Sequence, residues 1–242
     1  MKHYALSCLI LMSIQATPIH SLPNPINKIL LEKIEDIRSR MPCGINGGPG
    51  LVPFREQFVD VTYNNSTNIG IDGFLQDLLI DNLNSFVVDK IDFSLLRLKL
   101  DFGFTLPHTL IQGQYNITGQ YSSRIKIWGS GPFSVELNDL QLSGSLLLRI
   151  HQGYLDMTQL QTLLALNSLS SNIAGILGSD EASFVFNKMI EELLPKMLDT
   201  YSTDIGQMIS EYLRPIANQH LHKLTLSDII GGGGTDKPPC DV

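Results

Sequence analysis

The sequence predicts an α+β fold: a long C-terminal helix wrapped by a strongly curved antiparallel β-sheet, with a shorter N-terminal amphipathic helix. Three observations predict it. Residues 182–218 carry one broad apolar stripe at a period near 3.6. Residues 54–150 alternate apolar and polar side chains at a period of two. Neither element is stable with its apolar face in water, since each large side chain left wet forgoes roughly 1.5–3 kcal/mol, so each needs the other as cover.

Taken in order, Lys2 and His3 precede an apolar run from Tyr4 to Met12, with Ala16 at a plausible cleavage position, the pattern of a secretion signal. The run is too short to cross a bilayer, and no later one reaches 18 residues, so stable membrane insertion is not expected. Pro25 to Met41 reads as a helix. Ile26, Ile29, Leu30, Ile34, Ile37 and Met41 share a face, Asn24 can cap the start, and Pro42 stops it. Residues 44–53, rich in Gly and Pro, read as loop.

The strands follow. Leu98, Leu100, Phe102 and Phe104 alternate with Arg97, Lys99, Asp101 and Gly103. Ile111, Tyr115 and Ile117, then Ile125 and Ile127, then Phe133, Val135 and Leu137, then Leu142 to Ile150 continue the pattern. Turn signals at Leu106-Pro107-His108, Gln120 to Ser123, Trp128 to Pro132 and Asn138-Asp139 separate them. Thr158 to Ile176, with Leu160, Leu163, Leu164, Leu166, Leu169 and Ile173, reads as a further helix, broken by Gly178-Ser179-Asp180. The final helix pairs Val185/Phe186, Met189/Ile190, Leu193/Leu194 and Met197/Leu198, and continues through Met208/Ile209 to Ile216. Its length would be on the order of 50 Å, with Pro195 and Pro215 expected to kink it locally. The chain thus divides into a signal segment 1–16, an N-terminal helix and loop 17–53, a helix-wrapped sheet domain 54–222 and a flexible tail 223–242.

The 242 residues are 43% hydrophobic and 17% charged, enough for a sizeable core. The net charge of -7 and the lack of any basic cluster along the sequence argue against nucleic acid and against electrostatic binding to anionic membranes. Of three cysteines, Cys8 lies in the signal. Cys43 and Cys240 are expected to pair, against two free thiols or an intermolecular bridge. Asn64, Asn65 and Asn116 stand in glycosylation sequons.

No catalytic set is present. There is no G-x-S-x-G elbow, His220 and His222 are spaced wrongly for a helical metal pair, and the Gly231–Gly234 run lacks the Lys and helix of a phosphate loop. The expectation is a protein that is not an enzyme and holds no metal or cofactor. A sheet rolled on a helix leaves elongated apolar space. Alternation places Leu98, Leu100, Phe102, Phe104, Trp128, Phe133, Val135, Phe186, Met189 and Leu193 along it, with Tyr115 and Tyr154 as polar contacts. The same side chains would equally well fill a closed core, and the alternative function is then a secreted module that binds a protein or a membrane surface.

Pro107-His108-Thr109-Leu110-Ile111-Gln112-Gly113-Gln114-Tyr115-Asn116-Ile117-Thr118-Gly119 resembles the P-x-L-x-I-x-G-x-Y-x-I-x-G signature of the insect takeout and juvenile-hormone-binding protein family. Trp128-Gly129-Ser130-Gly131-Pro132-Phe133 with Leu137-Asn138-Asp139-Leu140, Gly153-Tyr154-Leu155, and Phe186 to Pro195 are similar to its later stretches, in the same order. The family's paired cysteine near the mature N-terminus is missing, and the helix ending Arg40-Met41-Pro42-Cys43-Gly44 is closer to group 7 mite allergens. The resemblance implies the tubular lipid-binding fold with a hydrophobic tunnel. The implied function is a secreted, extracellular, monomeric carrier of a small hydrophobic ligand: a juvenile-hormone-like terpenoid, a fatty acid or another lipid.

Overall fold

The computed structural model describes residues 24–44, 48–65, 69–121 and 125–231; the signal segment 1–16 and Cys240 lie outside them. Helix α1 (Pro25–Arg40) leads into strands β1 (Phe54–Asn65), β2 (Ile69–Asp81), β3 (Val87–Ser94), β4 (Lys99–Tyr121), β5 (Ile125–His151) and β6 (Tyr154–Ile173). Helices α2 (Asp180–Thr200), α3 (Ser202–Leu221) and α4 (Leu226–Ile230) follow. The strands form one antiparallel sheet in the order β1-β2-β4-β5-β6. One edge of β4 is shared: its second half, Leu110 to Tyr121, pairs with β2, and its first half, Lys99 to Thr105, pairs with β3. The order ends at β1 and β6, which do not pair with each other, so the sheet is an open, curved trough.

Three turn signals are not turns. Leu106-Pro107-His108 lies inside β4, and Trp128–Pro132 and Asn138-Asp139 lie inside β5. With 23 and 27 residues, these strands merge what reads locally as five. The ladder explains this. Leu106 pairs with Leu140 and His108 with Asn138, so Pro107, which has no N–H to give, stands opposite Asp139 at an interruption of the pairing. Asp139 takes a φ of 51°, so the signal bends both strands instead of ending them.

The helix expected over Thr158–Ile176 is strand β6. Its leucines fit either period over so short a span, and pairing along β5, from Leu160 opposite Leu146 to Ile173 opposite Phe133, decides between them. The long C-terminal helix is present as α2 and α3, interrupted at Tyr201 (φ -104°, ψ 16°). Pro195 and Pro215 both sit within helical segments, so neither proline marks the break. As expected, Asn24 caps α1 by accepting from the Ile26 N–H; Ser179 caps α2 by accepting from the Ala182 N–H.

The two helices lie along the outer edge of β6 and satisfy its backbone with side chains. Asn187 accepts from the Ile173 N–H at 2.9 Å and donates to the Ile173 carbonyl at 3.0 Å. Asn218 does the same at Met157, at 2.7 and 3.1 Å. Ser183 accepts from the Ile176 N–H and Glu191 from the Ser171 N–H. Ser210 donates to the Leu160 carbonyl, and Thr162 donates to the Gly206 carbonyl. Gly206 is required at that crossing because a Cβ there would run into the Thr162 carbonyl.

The tightest packing lies at one end of the trough. Phe93, Leu148, Leu155 and Met157 are buried there, covered by Ile26 and Leu30 of α1, Ala217 and Leu221 of α3, and Leu226 and Ile229 of α4. Helix α4 falls in the stretch that reads as tail; its two apolar residues seal the plug, and a Thr225–Asp228 capping box starts it. Helix α1 is held by Asn24 and Asn27, which bond the Phe93 carbonyl and N–H. Asp156 is shared by Arg149 (2.6 Å) and His222 (3.0 Å), tying the β5–β6 hairpin to the end of α3.

Asn187→Leu leaves both backbone groups of Ile173 without partners and should cost roughly 2–4 kcal/mol in urea unfolding. The hydrogen bond from His222, then that from Arg149, holds the Asp156 carboxyl below its ordinary value of 3.8. Its stabilising contribution is therefore full above that value and is lost as pH falls through the lower folded value. Asp156→Asn should lower the melting temperature at neutral pH and shallow the decline of stability below pH ~4.

Candidate ligand cavity

At the end opposite the plug, alternation turns every second side chain of four strands toward the concave face. Ile71 and Leu75 of β2, Tyr115 and Ile117 of β4, Ile127 and Phe133 of β5, and Ile173 of β6 converge there, and Trp128, which pairs with Thr118 on the opposite phase of β5, also borders the space. Ile176 of the β6–α2 connection and Phe186 of α2 complete the wall, and together they line a partly open cavity of about 580 Å³. Phe186 is aimed by helix geometry. Ser183, Asn187 and Glu191, four residues apart, form a row on β6, and Phe186, Ile190, Leu193 and Met197 lie about a quarter turn around the helix.

Glycines set the wall's closeness. A Cβ at Gly129 would stand 2.6 Å from the Tyr115 hydroxyl, and one at Gly178 (φ 65°) would meet the Trp128 ring at 2.8 Å. The connection is pinned over the site by the Leu177 N–H, which donates to the Trp128 carbonyl at 2.8 Å.

No charged residue lines the cavity and its wall is almost wholly apolar; Tyr115, Trp128 and Gln120 are the lining residues that carry a polar side-chain group. Tyr115 donates to the Ala174 carbonyl at 2.8 Å, which leaves its oxygen free to accept. Burial pushes its phenol above the ordinary 10.0, so it stays neutral. Among the described residues, no group of three or more His, Cys, Asp or Glu could hold a metal ion.

Of the residues expected along the apolar space, the structure brings Tyr115, Trp128, Phe133 and Phe186 together here. Leu98 and Leu100 pack in the plug instead, because Leu100 sits on the half of β4 that pairs with β3 and Leu98 in the turn that precedes it. Phe102 and Phe104 lie on that same half, 6.0 Å apart, with Phe86 against Phe104 at 5.8 Å. Val135 is farther along β5, between Ile111 and Ser171. Tyr154 opens β6 at the far hairpin, opposite His151. Met189 and Leu193 continue the α2 face beyond Phe186 and are exposed. Ile71, Leu75, Ile117, Ile127, Ile173 and Ile176 were not in the expected set. The alternation of Ile71 and Leu75 around Gly73 was a usable signal, whereas Ile173 was hidden by the helical reading of β6. Asn116 is exposed on β4, and Asn64 and Asn65 end β1.

The family model for haemolymph juvenile hormone binding protein matches residues 6–231. Takeout 1 of Epiphyas postvittana is similar in structure, with a TM-score of 0.57 at 12% identity, over 81% of this chain and 93% of that one. A lipopolysaccharide binding protein aligns with a TM-score of 0.34 at 15% identity, over 78% of this chain and 38% of that one, too weak to carry an argument. No curated protein matches.

Tyr115→Phe removes the bond to Ala174 and should lower stability by about 1 kcal/mol without closing the cavity, measurable by thermal melting.

Proposed function

The chain belongs to the haemolymph juvenile hormone binding protein family, and from that premise we propose that it is a secreted carrier that holds one small hydrophobic ligand in the cavity between β2, β4, β5, β6 and α2. The observation that carries the reading is an apolar cavity of about 580 Å³ with no charged side chain in its wall. The volume falls in the range of roughly 300–1,000 Å³ typical of small-molecule sites. The driving force is desolvation: covering about 300–400 Å² of apolar ligand surface is worth on the order of 10 kcal/mol before the costs of association.

The wall also ranks ligands. An ionised carboxylate inside it would lose its water without gaining a cation, at a cost of several kcal/mol. A neutral terpenoid or uncharged lipid therefore suits the interior better than a fatty-acid anion. The wider expectations fit the same setting. An exposed Asn116 leaves room for a glycan, and a Cys43–Cys240 bridge would tether the chain's last residues beside the end of α1. No helix among the described residues is long and apolar enough to cross a membrane.

Ile117→Trp, which puts bulk into the cavity, should weaken binding of a neutral fluorescent hydrophobic probe by tenfold or more, about 1.4 kcal/mol. Val185→Ser, on the exposed face of α2, should leave it unchanged. Equal affinity of wild type and Ile117→Trp, with both folded by circular dichroism, would overturn the assignment.

A further inference from the structure

The plugged end carries a surface that the carrier reading does not use. The β3–β4 turn runs between the paired residues Ser94 and Lys99. Its Leu98 packs inward on the plug, but Leu96 is 100% exposed and Leu95 45%. The neighbouring β5–β6 hairpin, held to the turn by the Leu148 N–H donating to the Leu98 carbonyl, exposes Ile150 (52%) and Tyr154 (46%). Two adjacent leucines in a solvent-facing turn satisfy no need of the fold, since polar residues serve such positions better.

The charges around this tip are of the opposite sign to the whole. The chain's net charge is -7, yet Arg97, Arg149 and Lys223 meet here from three distant segments. Arg97 follows Leu96, Arg149 adjoins Ile150, and Lys223 precedes Leu224, whose carbonyl accepts from the Leu155 N–H. Asp156 engages Arg149 and His222. Of the other nearby carboxylates, Asp92 is held by Asn27 and Asp101 by Lys99 on the strands, and Asp228 of α4 is bound to Thr225 in its capping box. Arg97 and Lys223 have no ion pair with another described residue.

We propose that this tip docks on a lipid bilayer bearing anionic phospholipid headgroups. Leu95 and Leu96 enter the acyl boundary, Tyr154 sits at headgroup depth, and Arg97 and Lys223 face the phosphates. Apolar side chains ringed by cations and an aromatic are what an interfacial anchor needs. Charge complementarity selects this occupant over a zwitterionic surface. The tip is remote from the cavity, roughly 60 Å along β4 between Lys99 and Ile117. Docking there leaves the cavity in water, and its failure and the failure of the carrier reading are separable.

The test is vesicle flotation of the full chain. Wild type should float with vesicles of phosphatidylcholine mixed with phosphatidylserine, and added salt or pure phosphatidylcholine should reduce the floated fraction. The double variant Leu95→Ser/Leu96→Ser should partition at least about tenfold more weakly. Arg97→Glu/Lys223→Glu should lose the preference for phosphatidylserine. Both should keep wild-type melting and probe binding. In a Leu96→Trp variant, indole emission should shift to the blue on vesicles. The wild type's one tryptophan, Trp128 at the other end, should report no such shift. Absence of wild-type flotation, or flotation unaffected by the leucine change, overturns the proposal and leaves a protein as the occupant of the tip.

Discussion

The architecture depends on how the free edge of β6 is satisfied. A strand at the edge of a long sheet presents a row of unpaired N–H and C=O groups, and this one is answered by a helix in place of a seventh strand. Asn187 and Asn218 act as one-residue pieces of a ladder, each taking one backbone N–H and giving to the carbonyl of the same residue. Between them Glu191, Thr162 with Gly206, and Ser210 continue the contact. Because polar side chains make the attachment, the apolar face of the helices is left for the concave side of the trough.

That division separates the molecule's two ends. At one end α1, α3 and α4 converge on Leu155 and close the trough with packed hydrocarbon. At the other, no helix among the described residues is inserted, and the described wall is completed by Phe186 and the short connection through Ile176. The cavity is thus the part of the interior that the helices do not fill. Its neutrality follows from the alternation of the strands, which sends Asp72, Asn116 and Thr118 to the outer face while Ile71, Tyr115 and Ile117 turn inward.

The plug and the tip beyond it are continuous. Leu98 belongs to the first and Leu96 to the second, two residues apart in one turn. A rigid base beneath the tip holds its exposed side chains in a fixed arrangement without ordering a flexible loop. The proposed binding of a hydrophobic ligand and the proposed contact with a lipid surface would then use opposite ends of one trough and need share no residue.

The sequence by itself determined helix α1, the long C-terminal helical stretch, the curved antiparallel sheet, the cap at Asn24 and, through quoted motifs, the family, because each rests on local periodicity, local hydrogen bonding or a local motif. It also placed Tyr115, Trp128, Phe133 and Phe186 on apolar faces. Only the tertiary structure decided that Thr158–Ile176 is a strand, since its leucines satisfy both periods and the partner β5 breaks the tie. Only it decided that Pro107 and Asp139 bend strands instead of ending them, since a ladder on both sides outweighs a turn signal. The separation of Leu100 from Tyr115 and Ile117, all on β4, is likewise tertiary. Alternation fixes which face a side chain takes, but its place along a 23-residue strand acquires meaning only from what packs against each half. The same holds for Arg97, Arg149 and Lys223, scattered in the sequence and brought to one tip by the folding of the chain.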